Sequence, residues 1–282
     1  MPLRDPALDH AVVNVRDQMD RAVQIYRRLG FHMTERGYHT LGSINHLATL
    51  EHDYIELIGF EPNTANVRTD ILGCPCGLNA LVFGMSDANS VYAELQNSDV
   101  PVEPPIAFSR PVLVDGSNQD ARFQTVRLAK DTVPGGRVYF CQHLTPELVW
   151  RPEWQHHANG AVALTRAVLV SADPLRAVAI FKRMFGAPVV STNRNGAIIS
   201  CKRFRIEVVP PDGLAGSLGR RNTPEADGRS DYMAAMSVRT QSLDKAEAAL
   251  SAGGINHTRS ADGRVVVPAS ETMNVTIEFV LS

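Results

Sequence analysis

One arrangement recurs four times along the 282 residues: an apolar strand, a polar capping turn, an amphipathic helix and then short closing strands. Such a repeat restricts the chain to architectures assembled from copies of one unit, each burying a sheet face under its own helix. The copies align at Leu8, Leu78, Leu164 and Asp231. In the first, AVVNV runs to Asp17 as the expected N-cap, and Met19, Ala22, Val23, Tyr26 and Leu29 recur at helical spacing before Gly30. In the second, Ser86 or Asp87 caps a helix carrying Val91, Tyr92 and Leu95. The third sets Asp173 before Pro174, a residue suited to the first helical turn, and the fourth uses Ser242.

Each copy closes on a strand: YIELIGF at 54–60, VYFCQHL at 138–144, FRIEVVP at 204–210 and VTIEFVL at 275–281. Three of these carry a carboxylate after isoleucine, namely Glu56, Glu207 and Glu278. A carboxylate in a β-branched strand either faces water or must be paired or bound to a metal. His10, in the opening strand LDHAVVNV, poses the same choice.

Composition narrows the partners. Twenty-eight basic residues against thirty acidic ones, scattered along the chain, give no electrostatic footprint for nucleic acid or an anionic membrane. No apolar run approaches the roughly 20 residues of a membrane span, and the first residues lack the apolar stretch of a signal peptide. The expectation is a cytoplasmic protein, monomer or homodimer, with a small organic molecule as partner. Cys74 and Cys76 have no second pair at zinc-finger spacing, so the four cysteines read as buried or free thiols. The Trp- and Pro-rich stretch TPELVWRPEWQHHANGA reads as a linker, and Asp212 to Asp231 as a mobile loop or a lid.

Four βαβββ units, a histidine in the first strand and I-E in the closing strand resemble the vicinal oxygen chelate superfamily, and more closely its glyoxalase-like members. The resemblance implies an α+β fold in which four βαβββ modules pair into two curved mixed sheets, the glyoxalase/bleomycin resistance/dihydroxybiphenyl dioxygenase-like fold. It implies a first domain over residues 1–150 and a second, degenerate one over 151–282. It also implies a divalent metal held by first and last strands of paired units. His10 and Glu56 match two ligand positions, whereas Ala80 and Phe140 fall opposite them in the second unit, with Gln142 two residues on. In the second half Arg166, Met233 and Glu278 stand at the matching positions beside Glu207. Arginine has no lone pair for a metal, so Arg166 is expected to pair with Glu207 instead.

Strand alternation places His10, Val12 and Asn14 on one face and Tyr54, Glu56 and Ile58 with them. A three-residue turn before Tyr54 would bring His46 to the face of Glu56; a two-residue turn would send it to the other. Imidazole and carboxylate ligands suit Zn, Fe, Mn, Co or Ni. The expected enzyme is a metal-dependent lyase or isomerase, or a dioxygenase, acting on vicinal oxygens, with the metal on His10, Glu56 and His46 and with Glu56, His46 or Gln142 handling protons. The alternative is a metal-free protein of the same fold that sequesters a small molecule.

Overall fold

The computed structural model describes residues 3–64 and 68–281. Its first half runs β1 (Leu8–Arg16), α1 (Met19–Arg28), β2 (Gly37–Tyr38), β3 (Ile44–Thr49), β4 (Tyr54–Gly59) and α2 (Thr69–Leu72). It continues through β5 (Gly77–Gly84), α3 (Ala88–Asn97), β6 (Ile106–Val114), β7 (Ser117–Arg127) and β8 (Arg137–His143). The second half repeats the order: β9 (Ala161–Val170), α4 (Pro174–Phe185), β10 (Val190–Asn193), β11 (Gly196–Ser200), β12 (Arg205–Val209) and α5 (Leu214–Leu218). It ends with β13 (Tyr232–Thr240), α6 (Leu243–Ala252), β14 (Thr258–Arg259), β15 (Val265–Val267) and β16 (Thr276–Val280).

Two mixed eight-stranded sheets result, ordered β2-β3-β4-β1-β5-β8-β7-β6 and β10-β11-β12-β9-β13-β16-β15-β14. In each, two βαβββ modules meet along an antiparallel pair of opening strands, β1 with β5 and β9 with β13. This is the α+β architecture that the repeat implied. Three of the expected caps form: Asp87, Asp173 and Ser242 accept from the backbone N–H three residues on. Asp17 does not cap α1; the cap position is Gln18, which makes no side-chain cap bond.

Helices α1, α3, α4 and α6 bury their apolar stripes against the convex faces in one continuous core. Phe83 meets Phe185 at 5.0 Å and Phe31 meets Phe279 at 6.0 Å, so the two halves share it. Asp53 ties the halves as well, its Oδ1 accepting from the Leu164 N–H at 3.0 Å. Burial raises the Asp53 carboxyl to about 7, a shift that the bond from Leu164 only partly offsets. A group raised in the folded state favours folding while protonated, so its contribution is complete below the unfolded value and lost as pH rises through about 7. Asp53→Asn keeps an acceptor for Leu164. It is expected to raise the melting temperature at about pH 8 and to change it little at about pH 4, flattening the alkaline side of the stability profile; thermal scans across that range check this.

The concave faces are treated differently. The linker lies over the first, where Leu148 and Val149 join Val12, Leu47 and Val82 in an apolar cluster. The segment expected to be a mobile loop plugs the second: α5 inserts Leu214 and Leu218 against Val168 and Val170. Above that plug Arg166 Nη2 lies 2.6 Å from Glu207 Oε2 and Nη1 lies 2.6 Å from Glu278 Oε2. Ser217, Ser237 and Arg264 complete the cluster. The expected Arg166–Glu207 pair is therefore present, inside a larger network. Met233, placed by simple register at a ligand position, is buried in the shared core; a bulge between Met233 and Ala235 puts Ser237 opposite Arg166 instead.

Candidate functional site

The first sheet curls until its edges meet. Thr40, just past β2, donates its N–H to Ser109 O in β6 at 3.0 Å. The curl encloses a cavity lined from β1, β3, β4, β6, β7 and β8. Tyr54, Glu56 and Ile58 line it with His10, as strand alternation requires.

His10 is the centre of the polar end. Its ring stacks on Tyr54, the residue opposite it in the parallel β1–β4 pair, with centroids 4.3 Å apart. Its Nδ1 lies 2.6 Å from Asp9 Oδ2, and its Nε2 lies 3.6 Å from Glu56 Oε2. Adjacent strand residues ordinarily face opposite ways, but β1 pairs Leu8 with Phe83 and His10 with Val82, leaving Asp9 as the extra residue of a bulge. That bulge turns Asp9 to the side of His10 and His143, whose Nε2 is 3.0 Å from the same carboxylate oxygen. Burial works against a charge on Asp9, but the pull of His143 and the hydrogen bonds from both imidazoles prevail and hold the carboxyl well below its ordinary range.

Glu56 is gripped from the other side. Asn45 Nδ2 donates to Glu56 Oε1 at 2.7 Å, and His39 Nε2 stands 4.0 Å from that oxygen. His39 Nδ1 is 2.8 Å from Ser43 Oγ, and its Nε2 is 3.2 Å from the Asn45 amide nitrogen, so the ring carries its proton on Nδ1. Burial brings His39 down to about 4, with Arg110 and Arg68 acting in the same direction and Glu56 against it, so it is neutral near neutral pH.

His46 is not brought to this face. The β3–β4 hairpin pairs Thr49 with Tyr54 across a four-residue connection, so Leu47 opposes Glu56 and His46 opposes Leu57. His46 Nδ1 instead bonds Thr34 O at 2.7 Å, and Nε2 accepts from Arg36. Gln142 also points away: it caps α3, accepting from Ala88 N–H at 3.1 Å and donating to Ser86 O at 2.7 Å. On β8 the cavity side belongs to Tyr139 and Cys141, while Phe140 packs against Phe83 and Phe185. The sequence reading passed over Asp9, His39, Asn45, Cys141 and His143. The GxHxxxSxNH spacing over 37–46 was its one visible signal.

His10 Nε2 and His39 Nε2 each face Glu56, 3.6 Å and 4.0 Å from its carboxylate oxygens, and each imidazole has its Nδ1 fixed by an oxygen. Separately, Asp9, Cys141 and His143 offer ligand atoms within 4.8 Å of one another, and among the described residues only this group of three is so compact. Burial keeps the Cys141 thiol well above its ordinary value. His143 Nδ1 is buried without a hydrogen-bond partner.

Paired βαβββ modules wrapped around a cavity, with histidine and carboxylate on its opening and closing strands, define the vicinal oxygen chelate superfamily. Residues 8–185 match the model of the glyoxalase-like domain, and the chain belongs to that family. Among solved structures it is similar to a hypothetical protein from Staphylococcus aureus, with a TM-score of 0.67, 17% identity, and 97% of this chain and 98% of that one covered. A mutant 4-hydroxymandelate synthase from Streptomyces coelicolor gives 0.61 at 12% identity, covering 98% and 92%. A xylose isomerase-like TIM barrel/4-hydroxyphenylpyruvate dioxygenase fusion protein gives 0.57 at 14%, covering 99% of this chain and 49% of that one. At these identities the likeness is one of fold. No curated protein matches significantly. Among the described residues no helix is long and apolar enough to cross a membrane.

Proposed function

We propose that residues 1–150 form a catalytic domain that binds one divalent metal and acts as a lyase or isomerase on a small molecule with adjacent oxygens, and that 151–282 form a companion domain whose equivalent site is an ion-pair cluster. The observation that carries this is the orientation of His10. Its Nδ1 is tied to the Asp9 carboxylate and its Nε2 faces Glu56 Oε2 across 3.6 Å, too far for a hydrogen bond. A metal-ligating histidine is ordinarily held in this way, by a carboxylate on its other nitrogen.

The donors present fit such an ion. His10 and Glu56 would hold it, and His39 Nε2, 4.0 Å from Glu56 Oε1, would exchange its bond from the Asn45 amide for the ion, in the part expected of His46. Ala80 on β5 and Tyr139 on β8, at the positions matching His10 and Glu56, leave the remaining positions open, as a catalytic site requires. The ion's contribution would be Lewis acidity toward the substrate oxygens. Asp9 fixes the His10 tautomer. Glu56, steadied by Asn45, is placed to take a proton from a carbon beside those oxygens and return it. The Tyr54 ring and the linker shut water out from behind His10.

Elemental analysis of protein equilibrated with Zn, Mn, Fe(II), Co or Ni tests the reading. About one equivalent is expected in the parent and in Cys141→Ala, and almost none in His10→Ala or Glu56→Gln. Loss in Cys141→Ala with retention in Glu56→Gln would move the metal to the compact Asp9–Cys141–His143 group. Metal in none of them would favour the sequestering protein.

A further inference from the structure

Arg110 enters the same cavity from β6, opposite the Glu56 wall. Only 3% of it is exposed, its Nη2 is buried without a hydrogen-bond partner, and it takes part in none of the ion pairs found among the described residues. A guanidinium in this condition is unusual, because an ionised group removed from water without an ion-pair partner is destabilising. Glu56 acts on it only through space, its oxygens turned to Asn45, His39 and His10. The backbone opposite has made room for it, since a Cβ on Gly37 would come within 2.9 Å of Arg110 Cδ.

Two further polar atoms of the cavity lining lack partners, Asn45 Oδ1 on β3 and Thr125 Oγ1 on β7. Glu56 is the one carboxylate lining the cavity and its oxygens are already engaged, so Arg110 is left to pair with an anion brought by a ligand. Between Arg110 and the back wall the surface is aromatic: Phe108 stacks on Phe123 at 5.1 Å, with Tyr139 beyond.

Resting on the reading of this cavity as a small-molecule site, we infer that it takes a monocarboxylate with a flat apolar body. The carboxylate lies on Arg110, and the body lies along Phe108 and Tyr139, reaching toward Glu56. A planar fork of N–H donors matches a planar carboxylate in a way that a point charge does not. Arg110 is thus a specificity-determining residue, and its missing partner is supplied by the ligand.

Calorimetric titration with acetate, benzoate and phenylacetate, each against its neutral amide, tests this. The protein is first stripped with chelator, so that an added carboxylate cannot be reporting a bound metal. The acids are expected to bind about 10- to 100-fold tighter than their amides, with the aryl acids ahead of acetate. Arg110→Met should abolish that preference and Arg110→Lys should keep part of it. Arg110→Met should also melt no lower than the parent, because it removes an uncompensated buried charge; a purely structural arginine would show the opposite. Equal binding of acids and amides, no binding of either, or an unchanged preference in Arg110→Met overturns the assignment. An Arg110-dependent preference in stripped protein upholds it even where the metal analysis of the His10 and Glu56 variants finds no metal.

Discussion

Arg166→Met is expected to destabilise the protein by about 3 kcal/mol, lowering the denaturation midpoint while leaving metal content and benzoate binding in the first half unchanged. Glu278 is wholly buried and receives Arg166, Ser237 and Arg264. Removing Arg166 withdraws one of two cations from it and leaves Glu207 only the exposed Arg205, 2.9 Å away. The cost lies in the stranded charges more than in the lost attraction. Arg166→Met combined with Glu207→Leu and Glu278→Leu is therefore expected to recover most of the loss, since well-packed apolar replacements of buried ion clusters are often neutral. Urea unfolding of the single and combined variants measures both. A combined variant less stable than the single one would show that the cluster holds the sheet by specific geometry.

The second large effect falls on Asp9. Asp9→Asn is expected to reduce metal affinity about 10- to 100-fold, the usual consequence of losing the carboxylate behind a ligating histidine. It should also cost about 2–3 kcal/mol of stability, because Asp9 is buried and accepts from both His10 and His143. The sign with pH follows from its depressed folded value. Asp9 stabilises the fold above the unfolded carboxyl range, and that contribution is lost as pH falls below it. The parent and Asp9→Asn should therefore converge in stability toward acid pH. Competition titrations against a chromophoric chelator and melting curves from neutral to acid pH read the two effects separately. Unchanged metal affinity with reduced stability would reduce Asp9 to a structural role and weaken the case for metal at His10.

Much of the site is legible in the sequence. The period-two pattern of YIELIGF and LDHAVVNV put Tyr54, Glu56 and His10 on one wall, and buried arginine chemistry paired Arg166 with Glu207. His46 went astray because its face depends on the length of the turn after Leu50. The backbone bond from Leu50 N–H to Asp53 O at 2.8 Å closes a four-residue connection, and a change of one residue there reverses every side chain of β3. Gln142 reaches the expected face only if Phe140 stands at the position of Glu56. The β7–β8 register turns both to the helix side, where Gln142 finds the open N-terminus of α3.

The amino-acid sequence determined what local periodicity can encode: four repeated units, three of the helix caps, and which residues of a regular strand share a face. Tertiary structure decided the rest. It set the bulge that turns Asp9 onto the face of His10, the hairpin register that presents Asn45 in place of His46, and the curl of the sheet that carries Arg110 from β6 to Gly37 on the far edge. Each of these is a non-local pairing. Its energy depends on which strand lies alongside and how far the sheet twists, quantities that a chain read residue by residue does not contain.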